Sequence, residues 1–282
     1  MSSKFPNWLK KRLYTQDKLV KVKEVLEDLN LNTVCRSAEC PNQGECFANN
    51  TATFMILGEN CTRNCSFCAV NSAKPEKVDP LEPSHLAEAV KRLKLKYVVI
   101  TSVTRDDLKD GGVSQFIKTV AEIKKISAEI KIELLTPDFQ GNIEILKKLA
   151  EADFEVFNHN VETIPRLYSS VRPEADYQQS LAVLKNMKEF NSKLYTKSGI
   201  MVGLGENKEE VIEVMKDLRK NDVDILTIGQ YLQPSKNHLE ISEFIKPELF
   251  EEYKNIGESL GFKSVVSQPF ARSSYHAAES LN

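Results

Sequence analysis

The stretch that decides the fold reads Thr53-Phe-Met-Ile-Leu57, then Gly58-Glu-Asn60, then Cys61-Thr-Arg-Asn-Cys65-Ser-Phe-Cys68. A short apolar run closed by a glycine turn predicts a strand. The cysteine triplet therefore sits on the loop that leaves the strand's C-terminal end. In α/β folds that end is where loops build active sites.

Downstream the same pattern recurs. Short β-branched runs at Tyr97–Thr101, Ile130–Leu135, Phe154–Phe157, Ser198–Val202 and Ile225–Ile228 bring the candidate strands to six. Between them apolar residues fall on one helical face: Leu86, Ala89, Val90 and Leu93; Phe116, Ile117, Val120 and Ile123; Leu181, Leu184 and Met187; Val211, Val214, Met215 and Leu218. Asn207 with Glu210 three positions on predicts a helix start just after the turn Gly203-Leu-Gly205. Repeated strand–helix units imply a parallel sheet with right-handed crossovers, which fits either an open doubly wound sheet or an incomplete (β/α) barrel. Leu19, Val22, Leu26 and Leu29 predict a helix before the first strand, and Phe250, Tyr253, Ile256 and Leu260 one after the last.

Composition narrows the function. Lys+Arg 38 against Asp+Glu 40 gives a formal charge of -2, so nothing advertises a nucleic-acid partner. The N-terminal stretch has no secretory pattern, and no run approaches the roughly 20 apolar residues of a membrane span. A soluble, cytoplasmic protein is expected. All six cysteines lie between Cys35 and Cys68, and none follows. Disulfide frameworks belong mainly to small secreted chains, whereas closely spaced cysteines in a reducing compartment point to metal or catalytic thiolates.

Three thiolates on one loop, Cys61, Cys65 and Cys68, can grip three irons of a cubane cluster and leave the fourth open to an exogenous ligand. A zinc knuckle fits poorly, because the spacing differs from paired CxxC ligands and no downstream cysteine completes the site. The upstream triplet Cys35, Cys40 and Cys46 is also one thiolate short of four. A second cubane there needs a non-cysteine ligand or keeps an open site.

The CxxxCxxC loop, with Phe67 before its last cysteine, resembles that of the radical S-adenosylmethionine (SAM) superfamily. The combined pattern is CRSAECPNQGEC (35–46), TATFMILGENCTRNCSFCAV (51–70), VTRDDLKDGG (103–112), FNHNVETIPRLYSSVRP (157–173) and ARSSYHA (271–277). It is similar, from Asn7 and Trp8 to Ala277, to the lipoyl synthase family. That resemblance implies two 4Fe–4S clusters. Cys61, Cys65 and Cys68 would hold one, with SAM on its open iron giving a 5′-deoxyadenosyl radical. Cys35, Cys40 and Cys46 would hold an auxiliary cluster completed by Ser274. A hard alkoxide ligand suits a cluster meant to be taken apart. The implied reaction inserts two sulfurs from that cluster at carbons 6 and 8 of a protein-bound octanoyl-lysine, and two SAM are used per product. The implied partners are an octanoylated lipoyl carrier domain or glycine-cleavage H-type protein, an electron donor such as flavodoxin or ferredoxin, and a protein that rebuilds the cluster.

We read the fold as α/β, a partial (β/α)6 TIM-type barrel at 51–232. An N-terminal extension at 1–50 carries the auxiliary cysteines, and a C-terminal helix and tail at 233–282 carry the serine. Gly111 and Gly112 follow the second strand, where superfamily members often contact the methionyl amine, although a turn opening the helix at Val113 explains them equally. Asn158, Asn160 and Glu162 follow the fourth strand and could meet the ribose or methionyl carboxylate, with Arg172 as a countercharge. Gly203-Leu-Gly205 is a weak nucleotide-loop signal, kept as a candidate adenine contact. His85, His159, His238 and His276 lack metal-type spacing, and Trp8 reads as a packing anchor.

Overall fold

Each strand of the main sheet lies beside the next one in sequence. The computed structural model describes residues 6–10, 20–48, 52–275 and 277–281, so Leu19 and His276 lie outside the described residues. The strands are β1 (Asn32–Thr33), β2 (Thr53–Ile56), β3 (Asn60–Cys61), β4 (Asn71–Ser72), β5 (Tyr97–Ser102), β6 (Lys131–Leu135), β7 (Val156–Asn158), β8 (Tyr195–Val202), β9 (Ile225–Gln230) and β10 (Ser264–Ser267). The main sheet runs β1-β2-β5-β6-β7-β8-β9-β10, parallel throughout except for β1, which lies antiparallel on β2. This sequential winding is that of a barrel rather than a doubly wound sheet. Among the described residues no pairing joins β10 back to β1 or β2, so the barrel stays open.

The α-helices are α1 (Val20–Asp28), α2 (Val34–Ser37), α3 (Gln43–Ala48), α4 (Glu82–Leu93), α5 (Val113–Ile126), α6 (Ile143–Ala150), α7 (Tyr168–Val171), α8 (Tyr177–Phe190), α9 (Lys208–Lys220) and α10 (Pro247–Ser259). The expected apolar faces bury in α4, α5, α8 and α9, with only Ile117 left half-buried. The capping box expected at Asn207 is formed: its side chain accepts from the Glu210 amide while Glu210 accepts from the Asn207 amide, satisfying two orphan donors.

The six expected strands all form, within a few residues of their predicted ends. The sheet also recruits both extensions, β1 from before the barrel and β10 from after it, so seven strands run parallel where six were expected. Trp8 is 40% exposed and the neighbouring Leu9 is buried, which corrects the reading of Trp8 as the anchor.

Inside the barrel, β5, β6, β7 and β8 are tied by one buried polar group. Glu133 accepts from Lys197 Nζ at 3.0 Å, Tyr97 OH at 2.6 Å and Asn158 Nδ2 at 2.7 Å. Such a pair is costly to break, since removing one partner strands a buried charge. It fixes the register beneath the cavity described next.

Candidate active site

A cavity of about 440 Å³ opens at the C-terminal ends of the strands. Cys61, Cys65 and Cys68 reach it from the loop after β2, Cys35 and Cys40 from the segment before the barrel, and Ser273 and Ser274 from the tail. Cys46 lies in an adjoining recess with Cys35, Cys40, Thr53 and Ser274. Cysteines that are far from Ser274 in sequence thus meet it in one place.

The loop carrying the second triplet is anchored on several sides. Arg63, between Cys61 and Cys65, is 8% exposed. Its Nε and Nη2 donate to Asp106 at 2.7 and 3.0 Å, and its Nη1 and Nη2 donate to Asp138 at 2.9 and 2.7 Å. Two bidentate carboxylates on one guanidinium leave little freedom of position. Burial alone would raise the Asp138 pKa. Hydrogen bonds and charge from Arg63 outweigh it and hold that carboxyl below the usual range. Cys61 Sγ accepts from the Arg63 and Thr104 amides at 3.4 and 3.3 Å. The strap after β9 covers the loop: the Leu239 amide donates to Ser66 O, and His238 Nε2 lies 3.0 Å from Cys68 O.

The tail is held just as closely. Asn42 Nδ2 donates to Phe270 O at 2.8 Å, and Tyr275 OH donates to Glu45 Oε1 at 2.8 Å, so the tail is pinned to the segment that bears the first triplet. Ser273 Oγ donates to Asn160 Oδ1 at 2.9 Å. On β9, Gly229 makes room for the crossing: a β-carbon there would stand 2.2 Å from Ala271 O. Only glycine permits that approach.

Of the polar residues singled out from the sequence, Asn160, Glu162 and Arg172 line the cavity. Glu162 takes a positive φ of 66°, accepts from Asn160 Nδ2 at 3.0 Å, and bridges to β8. A non-glycine residue held in that region is a feature of functional sites. Arg172 Nη1 donates to Asn160 O at 2.9 Å and its guanidinium lies over the Tyr168 ring. The other three stand elsewhere. Gly111 and Gly112 are off the cavity wall and form the turn that opens α5. Both have positive φ, with the Asp110 carboxylate accepting from the Gly112 and Ser114 amides and Phe139 and Leu57 filling the space above them. Asn158 points inward one layer lower and is held by Glu133, also off the wall. Gly203 and Gly205 make a tight strand-to-helix turn outside the cavity.

His159 was missed as a wall residue. It is buried, its Nδ1 lies 2.9 Å from Thr136 O, and burial followed by the charge of Arg172 pushes its pKa down to about 4. The neutral ring donates from Nδ1 and leaves Nε2 as an acceptor. Its position straight after a strand ending at the cavity was the available signal, and metal spacing was the wrong filter.

The wall fits a polar, metal-bearing occupant. Among the described residues Ser102 Oγ, Thr136 Oγ1, His159 Nε2 and Arg172 Nε are buried without a partner, on four residues that all line the cavity. Unpaired buried polar atoms are uncommon and point to a missing ligand. All six cysteines are free thiols. Burial pushes Cys35 up to about 11 and Cys68 up to about 12, so metal binding must displace their protons. Among the described residues no three Cys, His, Asp or Glu side chains converge on a point that one ion could fill. Nor, among them, is any helix long and apolar enough to cross a membrane.

Comparison with known proteins agrees with this geometry. The radical SAM superfamily pattern matches residues 55–218, more than half of the chain. The lipoyl synthase of Caldanaerobacter subterraneus subsp. tengcongensis is 56% identical over 282 residues, covering 100% of this chain and 99% of that protein. The lipoyl synthase of Caldicellulosiruptor saccharolyticus is 53% identical, covering 99% and 98%. Among solved structures, methylornithine synthase superposes with a TM-score of 0.56 at 16% identity, over 91% of this chain and 83% of that one. Streptococcus suis SuiB bound to S-adenosylmethionine gives 0.58 at 14%, over 80% and 54%. These distant likenesses bear on the fold alone. The chain belongs to the radical SAM superfamily and, within it, to the lipoyl synthases, a family of radical SAM sulfurtransferases.

Proposed function

We propose that the chain inserts two sulfur atoms, at carbons 6 and 8, into an octanoyl chain amide-linked to a lysine of a lipoyl carrier protein. The observation that carries this reading is that two cysteine triplets, each one ligand short of a cubane, line one cavity and its adjoining recess, with Ser274 on the wall of both. Cys61, Cys65 and Cys68 hold the cluster to which SAM binds. Once bound there, the pair supplies the 5′-deoxyadenosyl radical. Glu162 and Asn160 offer acceptor oxygens to ribose hydroxyls, and Arg172 sets its guanidinium against the methionyl carboxylate.

Cys35, Cys40, Cys46 and Ser274 hold the auxiliary cluster, which is a substrate because its sulfides leave with the product. At each carbon a C–H bond is exchanged for a C–S bond; the hydrogen departs as 5′-deoxyadenosine and one electron passes to the cluster iron. Met55, Leu135, Ile200 and Met201 give an apolar wall that keeps water from the radical. The open barrel admits a substrate tethered to another protein, either a lipoyl domain or a glycine-cleavage H-type protein. A flavodoxin or ferredoxin supplies electrons, a separate protein rebuilds the auxiliary cluster, and the setting is the cytoplasm. In this reading residues 1–50 and 233–282 serve as the cluster-bearing extensions of the barrel.

The test is incubation of anaerobically reconstituted protein with reductant, SAM and an octanoyl-lysine peptide. Formation of 5′-deoxyadenosine and a peptide mass gain of two sulfurs is expected. Deoxyadenosine without sulfur insertion would reject the lipoyl reading and leave a radical enzyme of another kind. Gly229→Ala gives a separate expectation, because its methyl group collides with the Ala271 carbonyl and lifts the tail. Iron should fall from about eight toward about four per chain. Sulfur insertion should fall at least about tenfold with deoxyadenosine formation kept. Unchanged iron would show that the tail does not depend on that close crossing.

A further inference from the structure

Arg272 precedes Ser274 by two residues and lies where the two triplets approach each other. It lines both the main cavity, with Cys61, Cys65 and Cys68, and the recess formed by Cys35, Cys40, Cys46 and Ser274. Among the described residues its one side-chain hydrogen bond runs from Nη1 to the carbonyl of its own neighbour Ala271, at 2.7 Å. Among the described residues no carboxylate stands within salt-bridge distance of it. Cys40 and Glu162 are the acidic groups, among the described residues, within its electrostatic reach. The other arginines lining or anchoring the site have firmer holds, although Arg172 keeps its Nε unpaired among the described residues. Arg63 has two carboxylates, Arg105 is bidentate to Asp107, and Arg172 has Asn160 O, Val161 O and the Tyr168 hydroxyl. Gly229 leaves Arg272 its seat, since a β-carbon there would come within 3.1 Å of Nη1.

A guanidinium stays charged in proteins, and even a half-buried cation such as Arg272 is costly without a counter-ion. A chain that places one there, next to its cysteines, has placed it against an anionic occupant. The thiolate-ligated cluster proposed for the recess is such an anion. We propose that Arg272 is a positioning residue of the auxiliary site, whose guanidinium supplies the countercharge for the iron–sulfur cluster held by Cys35, Cys40, Cys46 and Ser274. This rests on the two-cluster reading above. A cation beside a cluster stabilises its reduced, more negative form, raises its reduction potential and slows its loss. Placing the charge and the serine ligand on one short segment means that docking the tail delivers both.

The experiment uses the full chain with Cys61, Cys65 and Cys68 changed to alanine, so that only the auxiliary cluster remains, and compares it with the same chain carrying R272M, R272Q or R272K. Midpoint potential is read by redox titration with electron paramagnetic resonance, and cluster loss by the rate of iron release to a chelator. R272M should lower the midpoint and speed iron loss about tenfold, and R272K should recover at least half of both changes. R272Q removes the charge while keeping a donor for Ala271 O, and carries the same expectation if R272M retains no cluster. A merely structural arginine would leave the potential of the neutral variants where it was. Potential and loss rate equal to those of the parent in R272Q would overturn the inference. A parent that binds no cluster would overturn the two-cluster reading, and this inference with it.

Discussion

Ser274→Ala will abolish sulfur insertion while 5′-deoxyadenosine formation stays within about a factor of two of the unmodified chain, since independent sites respond independently. The expectation follows from how the two triplets share one space. Ser274 lines the recess of Cys35, Cys40 and Cys46, while Cys61, Cys65 and Cys68 are anchored by Arg63 and by the strap after β9. Removing the serine oxygen takes the fourth ligand from one cluster and touches none of the anchors of the other. Ser274→Cys should hold its cluster more firmly and still fail in transfer, because a soft thiolate binds iron more tightly than the oxygen it replaces. The check is to assay both products in one reaction mixture. Equal loss of both activities would mean that the tail serves folding rather than cluster chemistry.

Arg63→Met has the largest expected effect on stability, and it acts on the other half of the site. The substitution leaves Asp138, fully buried, with the Gln140 amide and Gln179 Nε2 as its donors among the described residues, and Asp106 with none of its arginine contacts. Breaking a buried pair by removing one member costs about 3–5 kcal/mol. In a chain of this size that corresponds to a fall in melting temperature on the order of 10 °C. The cluster held by Cys61, Cys65 and Cys68 should be lost with it, since the arginine lies inside their loop. Arg63→Lys keeps the charge but cannot serve two carboxylates bidentately, so it should restore part of the stability and little of the cluster. Asp138→Asn added to Arg63→Met should also recover stability, by removing the stranded charge. Calorimetry and iron content of the three variants check this directly. The pH profile gives the sign: Asp138 has a lowered folded pKa, so its contribution is present above the ordinary carboxylate range and is lost as pH falls through the folded value.

The barrel's strands were legible because they are runs such as Tyr97–Thr101 and Ile225–Ile228, whose apolar content reflects burial within a parallel sheet, whereas the choice of a barrel over a doubly wound sheet rested on the family resemblance. β10 escaped because Ser264-Val-Val-Ser267 is four residues long with polar ends, too brief to stand out from a loop. Its pairing with β9 is nevertheless what carries the tail toward the cysteines. α6 was unread as well, although Asn142 caps it by accepting from the Glu144 and Ile145 amides. At the site, Asn160 and Glu162, read from their position after a strand end, stand on the cavity wall, whereas Gly111 and Gly112 stand off it. A glycine pair before a helix serves the backbone turn first, and here Phe139 and Leu57 occupy the space above it. Asn158 faces the Glu133 layer below the cavity, because side chains alternate along a strand. Arg63 drew no notice because it occupies a spacer position of the cysteine motif, where sequence spacing says nothing about the two aspartates it meets from the loops after β5 and β6.

The central claim is that the sulfur given to the substrate comes from the cluster of Cys35, Cys40, Cys46 and Ser274. It is tested most directly by building that cluster with heavy-isotope sulfide, removing free sulfide, and measuring the mass of the octanoyl-lysine peptide after a single turnover. The account predicts a product that carries two labelled sulfur atoms; a product whose sulfur is unlabelled would contradict it.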